Sequence, residues 1–198
     1  MESNASRPSL IRRLAQRISP FTLGVALLCF LLPMVQVSCA SPTGYGSGGG
    51  GVTASYSGLT LATGGDARID PNDRKLDPQA KRSEDRIALQ PLVTLSLVLV
   101  LAGFVISIAA SRRKWLWIAL SAGLAAAAGV AGALIAARTL RDAMVAKLTL
   151  VHPAQLASVG ADNLVAIGQA LWLVTALLLI TAAFNLWLLV RSESEAPT

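Results

Sequence analysis

Apolar positions along the chain fall into four blocks, at 21–37, 87–110, 115–137 and 164–190, and none of the four contains a Lys, Arg, Asp or Glu. A hydrocarbon core of about 30 Å is crossed by about 20 helical residues at 1.5 Å each, so the last three blocks each predict a crossing helix. The first predicts one once Ser38 to Ala40 are included. The expected fold class is an all-α membrane protein: a four-transmembrane-helix bundle with a small extracytoplasmic β-hairpin. Its expected order is a basic tail at 1–20, a span at 21–40, an outer loop at 41–86, a span at 87–110 and a turn at 111–114. A span at 115–137, a helical outer loop at 138–163, a span at 164–190 and a tail at 191–198 complete it. Composition agrees, with 54% hydrophobic and 14% charged residues and a mean hydropathy of +0.58. The longest polar stretch is too short to support a large soluble catalytic domain.

The formal charge of +6 changes meaning once it is placed. Arg7, Arg12, Arg13 and Arg17 precede the first block, Arg112, Arg113 and Lys114 fill the turn, and Arg191 closes the fourth block. With four crossings these bases share one face, which nets +5 against Glu2, Glu193 and Glu195. The loop at 41–86 is neutral and that at 138–163 nets +1. Raw counts of Lys and Arg do not separate the faces, but their density beside the span ends predicts both termini in the cytoplasm. The tail's Leu10, Ile11, Leu14 and Ile18 sit at helical spacing opposite the arginines, as in a helix lying on anionic headgroups, or else the tail is a plain basic flank. No aromatic interleaving or DNA-binding motif accompanies these bases, so nucleic acid is not an expected partner.

The first block admits three readings. It can be an uncleaved signal anchor, a signal cleaved after Ala40, or a lipoprotein signal acylated at Cys39, against which Gln36 stands. All three leave residue 41 outside, and the anchor is favoured. Cys29 and Cys39 are ten residues apart on one extended segment, too far for an intrachain disulfide. Cys39 therefore either packs as a small apolar residue or makes an intermolecular contact.

Val35 to Cys39 and Val52 to Tyr56 carry β-branched or aromatic residues at alternate positions and flank the run Gly48 to Gly51, which predicts a hairpin leaning on the helix ends. Leu32-Pro33, Val37-Ser38-Cys39, Tyr56-Ser57-Gly58-Leu59 and Leu61-Ala62-Thr63-Gly64 together resemble a signature of small bacterial four-span membrane proteins. In that group a Leu-Pro step and Val-Ser-Cys precede Ser-Gly-x-x-Leu-Ala-Thr-Gly and three further spans. The resemblance implies the fold and no particular activity. The long glycine insertion departs from the group's tight turn.

Candidate chemistry is sparse. Asp66, Asp70, Asp73 and Asp77 miss the ligand spacing of a calcium loop and alternate with Arg68, Arg74 and Lys75. His152, the single histidine, has no obvious partner, and the lone Asp142 beside Arg141 makes no acid pair for a lipid-acting enzyme. The spans hold no ionisable residue of the kind that marks an ion path. Gln169 and Asn185 point to different neighbours. Thr94, Ser96, Ser107, Thr175 and Thr181 can bond back to their own helices, and Trp115, Trp117 and Trp187 suit an interface.

The third span stands apart. Ser121, Ala125, Gly129, Ala133 and Ala137 form a row at intervals of four, with Ala128, Gly132 and Ala136 beside it. Such rows let helices approach closely, which predicts this span at the bundle centre, packed within its own chain, with a homo-oligomeric contact through the second row as the alternative. The expectation is a non-catalytic structural, sensory or accessory subunit of the bacterial cytoplasmic membrane. It would use no cofactor, and its partners would be the lipid bilayer and a membrane complex or further copies of itself. The alternative is an oligomeric passive conduit lined by the small-residue face.

Overall fold

The computed structural model describes residues 7–39, 52–69, 86–109, 116–151, 160 and 164–193. Helix α1 runs Arg7–Cys29 and strand β1 Pro33–Cys39. Strand β2 (Val52–Ser57), the short helix α2 (Gly58–Thr63) and strand β3 (Arg68–Ile69) follow. Helix α3 is Pro91–Ala109, and α4 (Leu116–Leu134) continues through a π-helical turn, Ile135–Thr139, into α5 (Leu140–Val151). Strand β4 (Val165–Ile167) leads into α6 (Gln169–Glu193).

Among the described residues three helices are apolar and long enough to cross a membrane, Pro91–Ala109, Leu116–Leu150 and Gln169–Val190, as expected of a membrane protein. The first predicted span differs from expectation. Its described apolar helix, Ile18–Cys29, has 12 residues, and the chain turns to strand where helix was expected to run on to residue 40. The cause is local. Pro33 has no N–H to donate and biases Leu32 toward extended backbone, so the helix closes with short bonds from Phe30, Leu31 and Leu32 to the carbonyls of Leu27, Leu28 and Cys29. Val35 and Val37 then continue in the β region that branched side chains favour.

The expected hairpin is present and belongs to a larger sheet. β1 pairs antiparallel with β2, Val35 opposite Tyr56 and Cys39 opposite Val52. β1 also pairs with β4, and β2 with β3, so the order is β3-β2-β1-β4. One face of the sheet presents Val35, Val37, Tyr56 and Val165 to the core, and Gln36 lies on the other, exposed. A register shift between Pro33 and Val35 turns Met34 inward as well, so two successive residues are buried. A single apolar core runs from this sheet, α2 and α5 down between the helices.

Beneath the sheet, α1 touches α3 and α6, and α4 touches the same two helices. The continuous helix from Leu116 measures 35 residues to Leu150, about 52 Å at 1.5 Å per residue, so it stands well beyond a core of about 30 Å. Its α5 portion carries the buried Leu140 and Met144 into the same core as the cap formed by the sheet and α2.

Candidate functional site

Two regions concentrate the features that sequence alone marks out: the seam along α4 and the cap. In the seam, Ser121, Ala125, Ala128, Gly129, Gly132 and Ala136 are buried, Ala133 is half-buried and Ala137 is exposed. A methyl group added at Gly129 would lie 2.9 Å from Leu179 Cδ2, and one at Gly132 would lie 2.7 Å from Thr175 Oγ1. Both glycines therefore set the approach of α6. On the opposite side the Ser96 hydroxyl donates to the Ala128 carbonyl at 3.3 Å, joining α3 to α4. The second small row, Ala128, Gly132 and Ala136, is buried against helices of its own chain. The geometric reason is that α4 lies between α3 and α6, which leaves both rows facing neighbours.

The polar groups within the bundle are taken up locally. Thr175 and Thr181 donate to the carbonyls of Leu171 and Leu177, four residues back, at 2.9 and 2.7 Å. Asn185 is 1% exposed and reaches α1, where the Ser19 hydroxyl lies 2.9 Å from its Oδ1 and 2.8 Å from its Nδ2. Gln169, by contrast, is exposed at the other end of α6. Among the described residues no buried side-chain nitrogen or oxygen lacks a partner, and none form a group of three or more metal-ligating side chains.

The cap gives physical roles to the Ser-Gly-x-x-Leu-Ala-Thr-Gly segment. Ser57 caps α2, its hydroxyl accepting from the Thr60 N–H at 3.1 Å. Gly58 is required by space, since a Cβ there would lie 2.7 Å from Met34 Sδ and 2.9 Å from Phe30 Cδ1. Leu61 and Ala62 are buried, and Gly64 leaves the helix at φ +74°, a conformation that favours glycine. Gly65 and Ile87 exchange backbone hydrogen bonds, tying α2 to the start of α3. Lys147 of α5 donates to the Arg86 carbonyl at 2.8 Å, its ammonium 6.0 Å from the centre of the Tyr56 ring.

The junction of β4 and α6 escaped sequence reasoning. Gly168 donates to the Met34 carbonyl at 2.7 Å, and a Cβ on it would lie 2.6 Å from the Pro33 carbonyl oxygen. Its available signal was a glycine directly after the branched pair Val165 and Ile167, within a block that otherwise reads as continuous helix.

Several predicted residues are not brought into either region. The side chains of Arg7, Arg12, Arg13, Arg17 and Cys39 lie outside the described residues, although their backbones belong to α1 and β1. Arg112, Arg113, Lys114, Trp115, Asp70, Asp73, Asp77 and His152 lie outside them entirely. Asp66 and Asp142 are both exposed, Trp117 is half-buried, and Trp187 is exposed beside Phe184. No protein-family model matches this chain, and no curated protein matches it.

Proposed function

We propose that this protein is a non-catalytic integral component of a bacterial cytoplasmic membrane, a structural, sensory or accessory subunit that presents its cap on the outer face. The observation that carries the proposal is where the small-residue seam goes. A conduit of assembled copies would need the Ala and Gly rows free to line a pore, whereas Gly129 and Gly132 are closed by Leu179 and Thr175 of the same chain. The buried hydroxyls of α6 are likewise bonded to its own backbone, so they offer a permeating ion or solute little to bind.

In this reading α1 is the fourth crossing. Ser19 of α1 is bonded to Asn185 of α6, and past the other end of α1 the strand β1 pairs with β4, Val35 opposite Ile167, directly before α6 begins. Gly168 to Asn185 covers about 25 Å of helix at 1.5 Å per residue, near the thickness of a hydrocarbon core of about 30 Å. The dense bases at 7–17 and 112–114 put both termini in the cytoplasm against anionic headgroups, with no nucleic-acid partner. The uncleaved anchor is favoured because β1 is paired on both sides. Cleavage after Ala40, or lipidation at Cys39, would take most or all of that strand out of the sheet.

The test is reconstitution. Purified protein in liposomes should leave them tight to ions and small solutes. Leakage that scales with protein density would overturn the proposal in favour of the conduit.

A further inference from the structure

α2 is bonded to the ends of two membrane-directed helices. The Leu59 N–H donates to the Phe30 carbonyl at 2.9 Å and the Gly58 N–H to the Leu32 carbonyl at 3.4 Å, at the end of α1. On the other side the Gln90 N–H donates to the Leu61 carbonyl at 2.9 Å, and the Thr94 hydroxyl to the Ala62 carbonyl at 2.6 Å, at the start of α3. These bonds gather leucines that no part of the described chain covers. Leu31, Leu32, Leu59 and Leu89 are 61, 46, 43 and 51% exposed, and all four lie outside the three long apolar helices. Single exposed leucines are ordinary, but four around one short helix form an apolar patch that needs a partner.

The patch adjoins the lipid-directed residues of both neighbouring helices, Leu28 on α1 and Leu95 and Val98 on α3, which are themselves exposed. The polar groups of α2 are also satisfied from within. The Ser57 and Thr60 hydroxyls are 2.9 Å apart, and the Thr63 hydroxyl donates to the Leu59 carbonyl at 2.9 Å. Internal satisfaction of that kind is what a segment needs where water is scarce.

We propose that α2 is an interfacial helix, seated in the outer leaflet with Leu31, Leu32, Leu59 and Leu89 among the upper acyl chains. The partner of this surface is lipid. The inference rests on the reading of α1 and α3 as membrane crossings, and it adds that the Ser-Gly-x-x-Leu-Ala-Thr-Gly segment is embedded where a loop between spans would ordinarily be taken as aqueous. The sheet is then held down on the bilayer surface, its Gln36 face toward water.

Nitroxide labels test the depth. Leu59→Cys and Leu89→Cys are labelled in a Cys29→Ala, Cys39→Ser background and reconstituted in phosphatidylcholine–phosphatidylglycerol vesicles. Val98→Cys serves as the bilayer reference and Gln36→Cys as the aqueous one. The ratio of oxygen to nickel-chelate accessibility should be several-fold higher at Leu59 and Leu89 than at Gln36, approaching Val98. Ratios at Leu59 and Leu89 equal to that at Gln36, with Val98 high, would overturn the inference and leave the crossings standing. A low ratio at Val98 too would overturn both. The unsubstituted protein gives a second measurement in vesicles doped with a diazirine-bearing phospholipid. Carbene adducts on residues 57–63 are expected, and adducts confined to the long helices would count against the embedded α2.

Discussion

Three glycines rank the tightness of the fold residue by residue. At Gly168 a new Cβ would meet a backbone carbonyl, which cannot step aside without disturbing the pairing of β1 with β4. At Gly58 it would meet the flexible end of Met34, which can partly yield, and the Phe30 ring at 2.9 Å, and at Gly123 it would meet nothing within 4 Å. Gly58→Ala is expected to cost about 1–3 kcal/mol, Gly168→Ala to fall at or above the top of that range, and Gly123→Ala to be neutral. Unfolding titrations in mixed detergent micelles check the order, and an equal loss at Gly123 would refute the packing argument. Ser19 and Asn185 form a second residue-scale test. Removing either side chain leaves the other's polar group buried, so each single alanine variant should destabilise by about 1–3 kcal/mol. The double-mutant cycle should return a smaller coupling, about 0.6 kcal/mol and no more than about 1.7 kcal/mol, the mean and maximum for interhelical hydrogen bonds in membranes.

Among the elements, β1 carries the cap. It is bonded on one side to β2 over its length and on the other to β4 from Val35 to Val37, whereas β3 adds two residues at an edge. Hydrogen exchange followed by mass spectrometry should therefore find the amides of Val35 to Val37 the slowest in the sheet and those of Arg68 and Ile69 among the fastest. A uniformly fast sheet would mean that the cap is not a folded unit. The strands of the hairpin were legible in the sequence because branched residues alternate at Val35 and Val37 and a glycine run closes them. β4 was not, because Val165-Ala166-Ile167 lies inside a long apolar block, where periodicity cannot separate a buried strand from a helix. The early end of α1 is carried by Leu32-Pro33, the step at which the first span ends in the signature this segment resembles, whereas the length of the apolar run alone extends a helix to residue 40. The small-residue rows on α4 were equally plain, yet the spacing that lets a helix approach is the same for a neighbour in the chain and for a second copy. Only the placement of Leu179 and Thr175 separates the two.

At the scale of the whole molecule, the helix bundle and the cap are built from the same segments. α1 continues into the central strand and β4 into α6, so the protein isolated from membranes should retain residues 1–40. Intact-mass measurement checks this, and a mass starting at Cys39 or Ser41 would refute the anchor reading. The π turn at Ile135–Thr139 lies on the single helix shared by the bundle and the cap, and it bears on how the chain tolerates a change in length. Below the turn the buried positions Ser121, Ala125, Ala128, Gly132 and Ile135 step by four and three alternately; Ala136 is buried beside Ile135 within the turn, and Leu140 and Met144 continue the buried face above it. Losing one residue from the turn would return the helix to its α-helical ladder, because a π turn holds one residue more than that ladder needs. Losing one from the middle of α4 would instead swing everything beyond it by about 100°. Deletion of the exposed Ala137 should thus leave a folded protein and deletion of Ala126 should not, which makes this turn the place where the long helix can be shortened without uncoupling its two ends.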